Sequence, residues 1–294
     1  MVITDFLIDN SALNEVLKNQ DLTKKALEAI QKSPSRLFIS IDSFTEGISG
    51  TELDSIINRT KNLHWLLENS NRAQIVMTKP IGNWLQKELR NHGRFENVPL
   101  LYTEQRWPSF VKSLNDPEYF RYIYEKSKED RDLIASRTEA LKENDRNFRV
   151  AAKATLSQKE VREDIENINL TPPAHKLDSF RKIFKLSNKE IKRILFTQDR
   201  TKYRIHRTYF MLFYLRMLGN AYSKFSGTDD ISFLNRLVNG NWYDLAIMVQ
   251  ASQFNYFVTN DKDQRAMCNF LHKKGLIRAQ GITLDEFFEK ITLA

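Results

Sequence analysis

The stretch Asn241-Trp-Tyr-Asp-Leu-Ala-Ile-Met-Val-Gln-Ala-Ser-Gln-Phe-Asn-Tyr-Phe-Val-Thr-Asn-Asp-Lys-Asp263 decides how this chain is read. It opens as a helix on Asp244 and continues through Leu245, Ala246, Met248, Val249 and Ser252. A turn at 253–255 leads into a short apolar strand, Tyr256-Phe257-Val258, which ends abruptly on Thr259-Asn260-Asp261. Asp244 stands on the first turn of one helix, and Asp261 caps the next, which starts around Lys262. In an open α/β sheet, ligands bind where strands end and the following helices begin. Two carboxylates at that edge point to a divalent metal.

Working outward, residues 2–8 read as a buried strand ending at Asp9, and Asn10 or Ser11 begins a helix. A second helix starts at Asp21, and a second strand covers 36–41. Ser43 is expected to cap a helix that carries Glu46 in its first turns. If the two strands run parallel, Asp9 and Glu46 share one sheet edge. Residues 74–78 and 98–102 read as strands with a helix at 84–90 between them, and 275–279 reads as the closing strand. Thr283 and Glu286 have capping-box spacing at the start of a terminal helix. From Gln105 to about Val238 the strand signal disappears, and helices are expected over 125–149, 150–167, 177–186, 188–196 and 202–224.

The expected fold is therefore α/β, a central parallel sheet flanked by helices in three layers and built from both chain ends. Residues 1–104 and 239–294 form it, and 105–238 are an inserted all-helical region. Neither end has strands enough for a sheet of its own, so the two must meet.

The totals agree with this. Of 294 residues, 41% are hydrophobic, enough for a proper core, and 28% are charged. No apolar run approaches the ~20 residues that span a bilayer, so no membrane partner is expected. The first nine residues lack a basic n-region, and the lone Cys268 cannot form an intramolecular disulfide, so a cytoplasmic location is expected. A net charge of +8 favours an anionic partner, of which nucleic acid is the commonest.

Asp9, Glu46, Asp244 and Asp261 thus converge on one edge. Clustered carboxylates repel and are costly to bury, and a hard cation removes both problems. Mg²⁺ or Mn²⁺ takes such oxygen ligands and bridges to phosphate.

Three motifs carry a family resemblance. Phe6-Leu-Ile-Asp9-Asn-Ser-Ala-Leu13, Ser40-Ile-Asp-Ser-Phe-Thr-Glu46, and Asp244-Leu-Ala-Ile-Met-Val-Gln-Ala251 leading to Phe257-Val-Thr-Asn-Asp261 together resemble the PIN-domain nucleases. Ser11 stands where many members carry asparagine, and the helical middle makes the chain far longer than a minimal member. The resemblance implies metal binding by Asp9, Asp244 and Asp261, with Glu46 ligating directly or through water and Asp263 as an outer ligand. Ser11, Thr259 and Asn260 would orient a carboxylate or water. It further implies a Mg²⁺- or Mn²⁺-dependent endonuclease acting on single-stranded RNA in preference to DNA. The reaction would be in-line attack by metal-bound water, leaving 5′-phosphate and 3′-hydroxyl ends. A toxin of a toxin–antitoxin pair, a defence effector and an RNA-processing enzyme all fit, as does an inhibitory or complex-forming protein partner; self-association stays open.

Simpler readings stand beside these. Asp244 and Asp261 serve equally as helix N-caps, Asp42 reads as a capping or solvent-facing residue, and Asp5 as structural. In another class, the chain would be a catalytically silent PIN-like module that binds nucleic acid or protein. Within the helical region, Lys176, Arg181, Lys182, Lys185, Lys189, Lys192, Arg193, Arg200, Lys202, Arg204 and Arg207 accumulate with few acids. They suit phosphate contacts, although a solvated charged face is their default. The five histidines show no ligand spacing. No Gly-x-Ser-x-Gly elbow and no phosphate-binding glycine loop occurs, which argues against a serine hydrolase, an ATPase or a dehydrogenase.

Overall fold

The computed structural model describes residues 3–48, 53–71, 74–119, 158–169, 186–199, 201–221 and 242–293, short stretches between 121 and 143, and positions 181 and 234. Its five strands are β1 (Asp5–Ile8), β2 (Arg36–Ser40), β3 (Ile75–Thr78), β4 (Tyr256–Val258) and β5 (Gln280–Ile282). They form one sheet in the order β3-β2-β1-β4-β5, and every neighbouring pair is parallel. The two chain ends meet at β1 and β4, where Phe6 lies beside Tyr256 and Ile8 beside Val258. At the start of β1, Asp5 accepts a bidentate pair of 2.7 Å hydrogen bonds from Arg36, tying β1 to β2.

Successive strand residues face opposite sides, so a parallel sheet covered on both faces needs nearly continuous apolar strands. Phe6, Ile8, Leu37, Ile39, Met77, Val258 and Ile282 face one core. There they meet α1 (Asn10–Lys18), α2 (Gln20–Gln31), α3 (Ile41–Ile48) and α4 (Leu53–Asn69) through Leu13, Ile30, Phe44 and Leu66. Leu7, Phe38 and Phe257 face the other core, which α5 (Ile81–Arg90) enters through Trp84. On the first face lie also α6 (Trp107–Ser113) and, at the chain's end, α12 (Leu284–Leu293). On the second face lie α7 (Gln158–Glu166), α8 (Asn188–Phe196), α9 (Arg204–Ala221), α10 (Trp242–Ala251) and α11 (Lys262–Lys273). The architecture is three-layered, α/β/α.

Crossovers from β1 to β2 and β2 to β3 travel over the first face and step one way along the sheet. The crossover from β4 to β5 travels over the second face, through α11, and steps the other way. The chain therefore changes direction between β1 and β4, which in open α/β sheets is the place of the ligand crevice, at the carboxyl ends of the strands. One residue beyond the last apolar register, each strand turns polar. Ile8 pairs with Ile39 and Val258, and Val258 with Ile282, so Ser40, Asp9, Thr259 and Thr283 follow in a row, with Thr78 paired to Ser40.

Some expectations need correcting. Residues 98–102 are not a strand. They make a single antiparallel bridge, Leu100 to Thr78, because Pro99 has no N–H to extend a ladder. The closing strand is Gln280–Ile282, not 275–279. Gly275, at φ 68°, instead ends α11: its N–H bonds the His272 carbonyl and that of Leu276 bonds Leu271, a Schellman cap. The helix carrying Glu46 begins at Ile41, and Ser40, not Ser43, caps it by accepting the Asp42 N–H at 3.1 Å.

In the helical middle, α9 is buried along Ile205–Leu218 on every side, even at His206, Arg207, Thr208 and Arg216. It begins where Glu88 of α5, fully buried, takes the Ile205 and His206 N–H groups at 2.9 Å and the His206 ring at 2.7 Å. A carboxylate suits the positive end of a helix. The same core holds α9 and the sheet residues Leu7, Phe38 and Phe257. Of the helix expected over 177–186, only Arg181 and Leu186 are described, and most of 125–149 lies outside the described residues.

Candidate active site

Asp9 follows β1 and caps α1, its Oδ1 accepting the Ala12 N–H at 2.9 Å. Only 3% of Asp9 is exposed. Ser11 Oγ lies 2.9 and 3.0 Å from the two carboxylate oxygens, and Thr259 Oγ1 donates to Oδ2 at 2.8 Å. Each hydroxyl in turn accepts a backbone N–H: Asn260 to Ser11 and Asp261 to Thr259, both at 3.0 Å. Both hydroxyl hydrogens are committed to Asp9, so the 3.3 Å approach of Ser11 to Thr259 is a packing contact. Two short relays thus run from the backbone after β4 to one carboxylate.

Burial pushes Asp9 up from 3.8 to about 6. The three donors pull the other way, and the negative charge of Asp261 adds to the rise. Asp261 caps α11, its Oδ1 taking the Asp263 N–H at 2.9 Å and the Gln264 N–H at 3.0 Å. Gln264, 5% exposed, returns its side-chain amide to Asp244 Oδ1 at 2.6 Å. Asp9, Thr259, Asp261, Gln264 and Asp244 are therefore consecutive links of one chain of hydrogen bonds across the crevice. Glu46 is half-buried on α3, and Asp263, exposed on the first turn of α11, touches the chain through its backbone N–H on Asp261. Asn260 is exposed, with its side chain 3.4 Å from the Leu284 N–H. Among the described residues, no three His, Cys, Asp or Glu side chains stand close enough to hold a metal ion between them.

The donor set can be tested against a divalent cation. The groups in the chain are carboxylate, amide and hydroxyl oxygens, with no sulfur and no imidazole, which suits Mg²⁺ or Mn²⁺ and not Zn²⁺. Gln264 Oε1 is buried with no hydrogen-bond partner among the described residues. An amide oxygen left so beside Asp244 suits a hydration water of such a cation. Asp9 takes three donors and a carboxylate has about four acceptor sites, leaving room for one more contact. The donor chemistry fits the ion, while the spacing of the acids leaves hydration waters to bridge most of its contacts.

A second buried acid was not legible as such. Asp42 keeps part of its surface in solvent, but its carboxylate points inward: Oδ2 accepts Ile81 N–H at 3.3 Å and Gln250 Nε2 at 3.1 Å. It caps α5, not its own helix, and burial pushes it up from 3.8 to about 6. The reading of Asp42 as solvent-facing is corrected accordingly.

The described residues of the basic cluster lie elsewhere. Ile81 N–H meets Asp42 at the carboxyl edge of the sheet, and α5 runs ~15 Å from there, at 1.5 Å per residue. Arg193 of α8 bonds His92, just past the far end of α5. Lys189, Lys192 and Arg193 are exposed, and Lys202 and Arg204 half-buried. Arg181 bonds Asn188 Oδ1 at 2.9 Å. Arg207, 2% exposed, is spent inside, donating to the Ile194 and Thr197 carbonyls at 3.0 and 2.9 Å. Lys182, Lys185 and Arg200 lie outside the described residues, as does Lys176.

No protein-family model, curated protein or solved structure matches the chain. Among the described residues, no helix is long and apolar enough to cross a membrane.

Proposed function

We propose that this protein is a PIN-like, Mg²⁺- or Mn²⁺-dependent endonuclease that hydrolyses single-stranded nucleic acid, RNA in preference to DNA. The observation that carries the reading is the hydrogen-bonded chain Asp9–Thr259–Asp261–Gln264–Asp244, set in the crevice where the sheet changes direction. Asp9, Asp244 and Asp261 would hold the ion largely through its hydration waters, since no three acids converge among the described residues, Glu46 and Asp263 would act through water as well, and Gln264 Oε1 would accept a hydrogen bond from the same hydration shell. A bound Mg²⁺ or Mn²⁺ supplies Lewis acidity toward a phosphodiester. Ser11 and Thr259 fix the Asp9 carboxylate in one orientation, through hydroxyls that the backbone N–H groups of Asn260 and Asp261 hold in turn. Arg265, donating to the Thr259 carbonyl at 3.1 Å, braces the same turn. Water attacking phosphorus opposite the 3′ oxygen leaves a 5′-phosphate and a 3′-hydroxyl.

A catalytically silent module on the same fold draws on one observation: among the described residues no three acids cluster closely enough to hold a metal. On that reading the Asp9 network only ties β1 to β4. Cleavage of labelled single-stranded RNA and matching DNA, with Mn²⁺ or EDTA, separates the two. Metal-dependent cutting by the wild type, abolished in Asp261→Asn, is expected. No cutting, together with no rise in melting temperature on adding Mn²⁺, overturns the nuclease reading in favour of the silent module.

A further inference from the structure

We infer that the outer face of α8 is a docking surface for single-stranded nucleic acid, one helix length away from the carboxylates. The inference rests on nucleic acid being the substrate, and it adds where the strand is gripped. Helix α8 divides cleanly. Ile191, Ile194 and Leu195 are buried in the core of the second face, while Lys189, Lys192, Arg193 and Phe196 point outward. The outward set falls at i, i+3, i+4 and i+7, a single stripe of the helix surface. Phe196 is 59% exposed at the end of that stripe, where an isolated helix surface has no use for a phenyl ring.

The acids nearby do not neutralise the stripe. Glu190 is held in the capping box of α8, accepting from the Ser187 N–H at 2.8 Å and the Ser187 hydroxyl at 2.6 Å. Those two bonds hold its carboxyl below the usual range. Asp199 pairs with Lys202 at 3.9 Å. Lys189 and Lys192 have no carboxylate within salt-bridge distance among the described residues. Arg193 is positioned by His92 and by the Tyr203 ring, whose centroid lies 6.0 Å from the guanidinium. Arg90 and Arg94, both exposed, flank His92 and extend the positive surface onto the end of α5.

The spacing selects the partner. Along the axis Lys192 and Arg193 stand about 4.5 and 6 Å from Lys189, with the ring about 4.5 Å beyond Arg193, at 1.5 Å per residue. A single strand offers a repeating phosphate and an unpaired base on which an aromatic ring stacks. An acidic peptide offers the charge alone and leaves the ring without a planar partner. Because α8 adjoins the far end of α5, a strand gripped there can run along that helix toward the carboxyl edge of the sheet.

The test is equilibrium binding of a fluorescent oligouridine 20-mer, its abasic counterpart and polyglutamate to the full chain in EDTA, across a salt series. The proteins are wild type, Lys189→Gln/Lys192→Gln, Phe196→Ala and, as a control on exposed charge away from α8, Lys24→Gln on α2. The proposal predicts that Phe196→Ala weakens oligouridine about 5-fold or more and leaves the abasic strand unchanged. The double variant should weaken both strands and lower the slope of log affinity against log salt by about 1.4, at ~0.7 per phosphate contact on a single strand. Lys24→Gln should bind as the wild type does. Equal affinities for wild type and both α8 variants overturn the proposal, even if the cleavage assay shows a working nuclease. Polyglutamate binding as tightly as oligouridine, with Phe196→Ala affecting neither, overturns it in favour of an acidic protein partner. Loss of cleavage in Asp261→Asn with unaltered α8-dependent binding would support both readings separately.

Discussion

Thr259 and Asp9 lie 250 positions apart in the chain, and the Thr259 hydroxyl donates to the Asp9 carboxylate at 2.8 Å. That one bond joins the ends of β1 and β4, and the same hydroxyl receives the Asp261 N–H at 3.0 Å. Thr259→Val keeps the shape and removes both bonds. It leaves a buried carboxylate short of a donor and an N–H short of an acceptor. The expected loss is about 1–3 kcal/mol in urea unfolding at pH 7, with Thr259→Ser close to wild type. Asp9, losing a donor to its charged form, should titrate still higher than about 6. Equal stability of the valine and serine variants would show that the hydroxyl relay contributes nothing.

Asp42 offers a pH-dependent test. Its folded pKa of about 6 stands above the ordinary 3.8, so the folded chain binds this proton more tightly than the unfolded chain does. Stability from this group is therefore greatest at low pH, falls as pH rises from about 4 to about 6, and stays reduced above that. Asp42→Asn keeps an acceptor for the Ile81 N–H and cannot ionise. At pH 7.5 the variant should be the more stable by about 1–2 kcal/mol, a few degrees in melting temperature, after discounting for partial exposure. The difference should vanish near pH 4. A variant less stable than wild type at every pH would mean that the charge itself holds α3, α5 and α10 together.

How much of this was legible in the sequence depends on how local each cause is. Asp9 and Asp261 announce themselves because each abruptly ends an apolar strand and caps the next helix, both local events. The polar row at the ends of the strands was visible too, one strand at a time. Partnership was not: nothing near Asp244 says that Gln264 will lie against it, or that Glu88 will receive the start of α9. Pro99 and Gly275 misled because apolar neighbours suggested strands, while a missing N–H and a left-handed φ decided otherwise. Asp42 and Arg207 were misplaced for one reason. A side chain's direction is set by the helices packed beside it, and for both those helices come from distant sequence.

Arg207 belongs to the fold rather than to any ligand. Its guanidinium closes the end of α8 by donating to the Ile194 and Thr197 carbonyls at 3.0 and 2.9 Å. These are last-turn acceptors with no intrahelical partner. Arg207→Met retains the apolar stem and removes the donors, and should cost about 2–4 kcal/mol in denaturant unfolding. Below its melting transition the variant should bind oligouridine as tightly as the wild type. Weakened binding by a fully folded variant would return Arg207 to the nucleic-acid interface.

Gln264 tests the crevice with two opposing signs. Its amide nitrogen donates to Asp244 at 2.6 Å, and its oxygen is buried without a hydrogen-bond partner among the described residues. Gln264→Glu replaces that donor with a second carboxylate against Asp244. Without metal, like-charge repulsion should lower the melting temperature, by a cost of about 1–3 kcal/mol. The position is on the first turn of α11, where a negative charge near the helix N-terminus returns about 0.3–1 kcal/mol, too little to cancel the loss. With Mn²⁺ the sign reverses: the added carboxylate increases the charge facing the ion, so the metal-induced rise should exceed that of the wild type. Asp244→Asn should abolish the rise in both backgrounds. If Gln264→Glu is destabilised equally with and without Mn²⁺, the crevice binds no cation, and the five linked residues serve only to fasten β1 to β4.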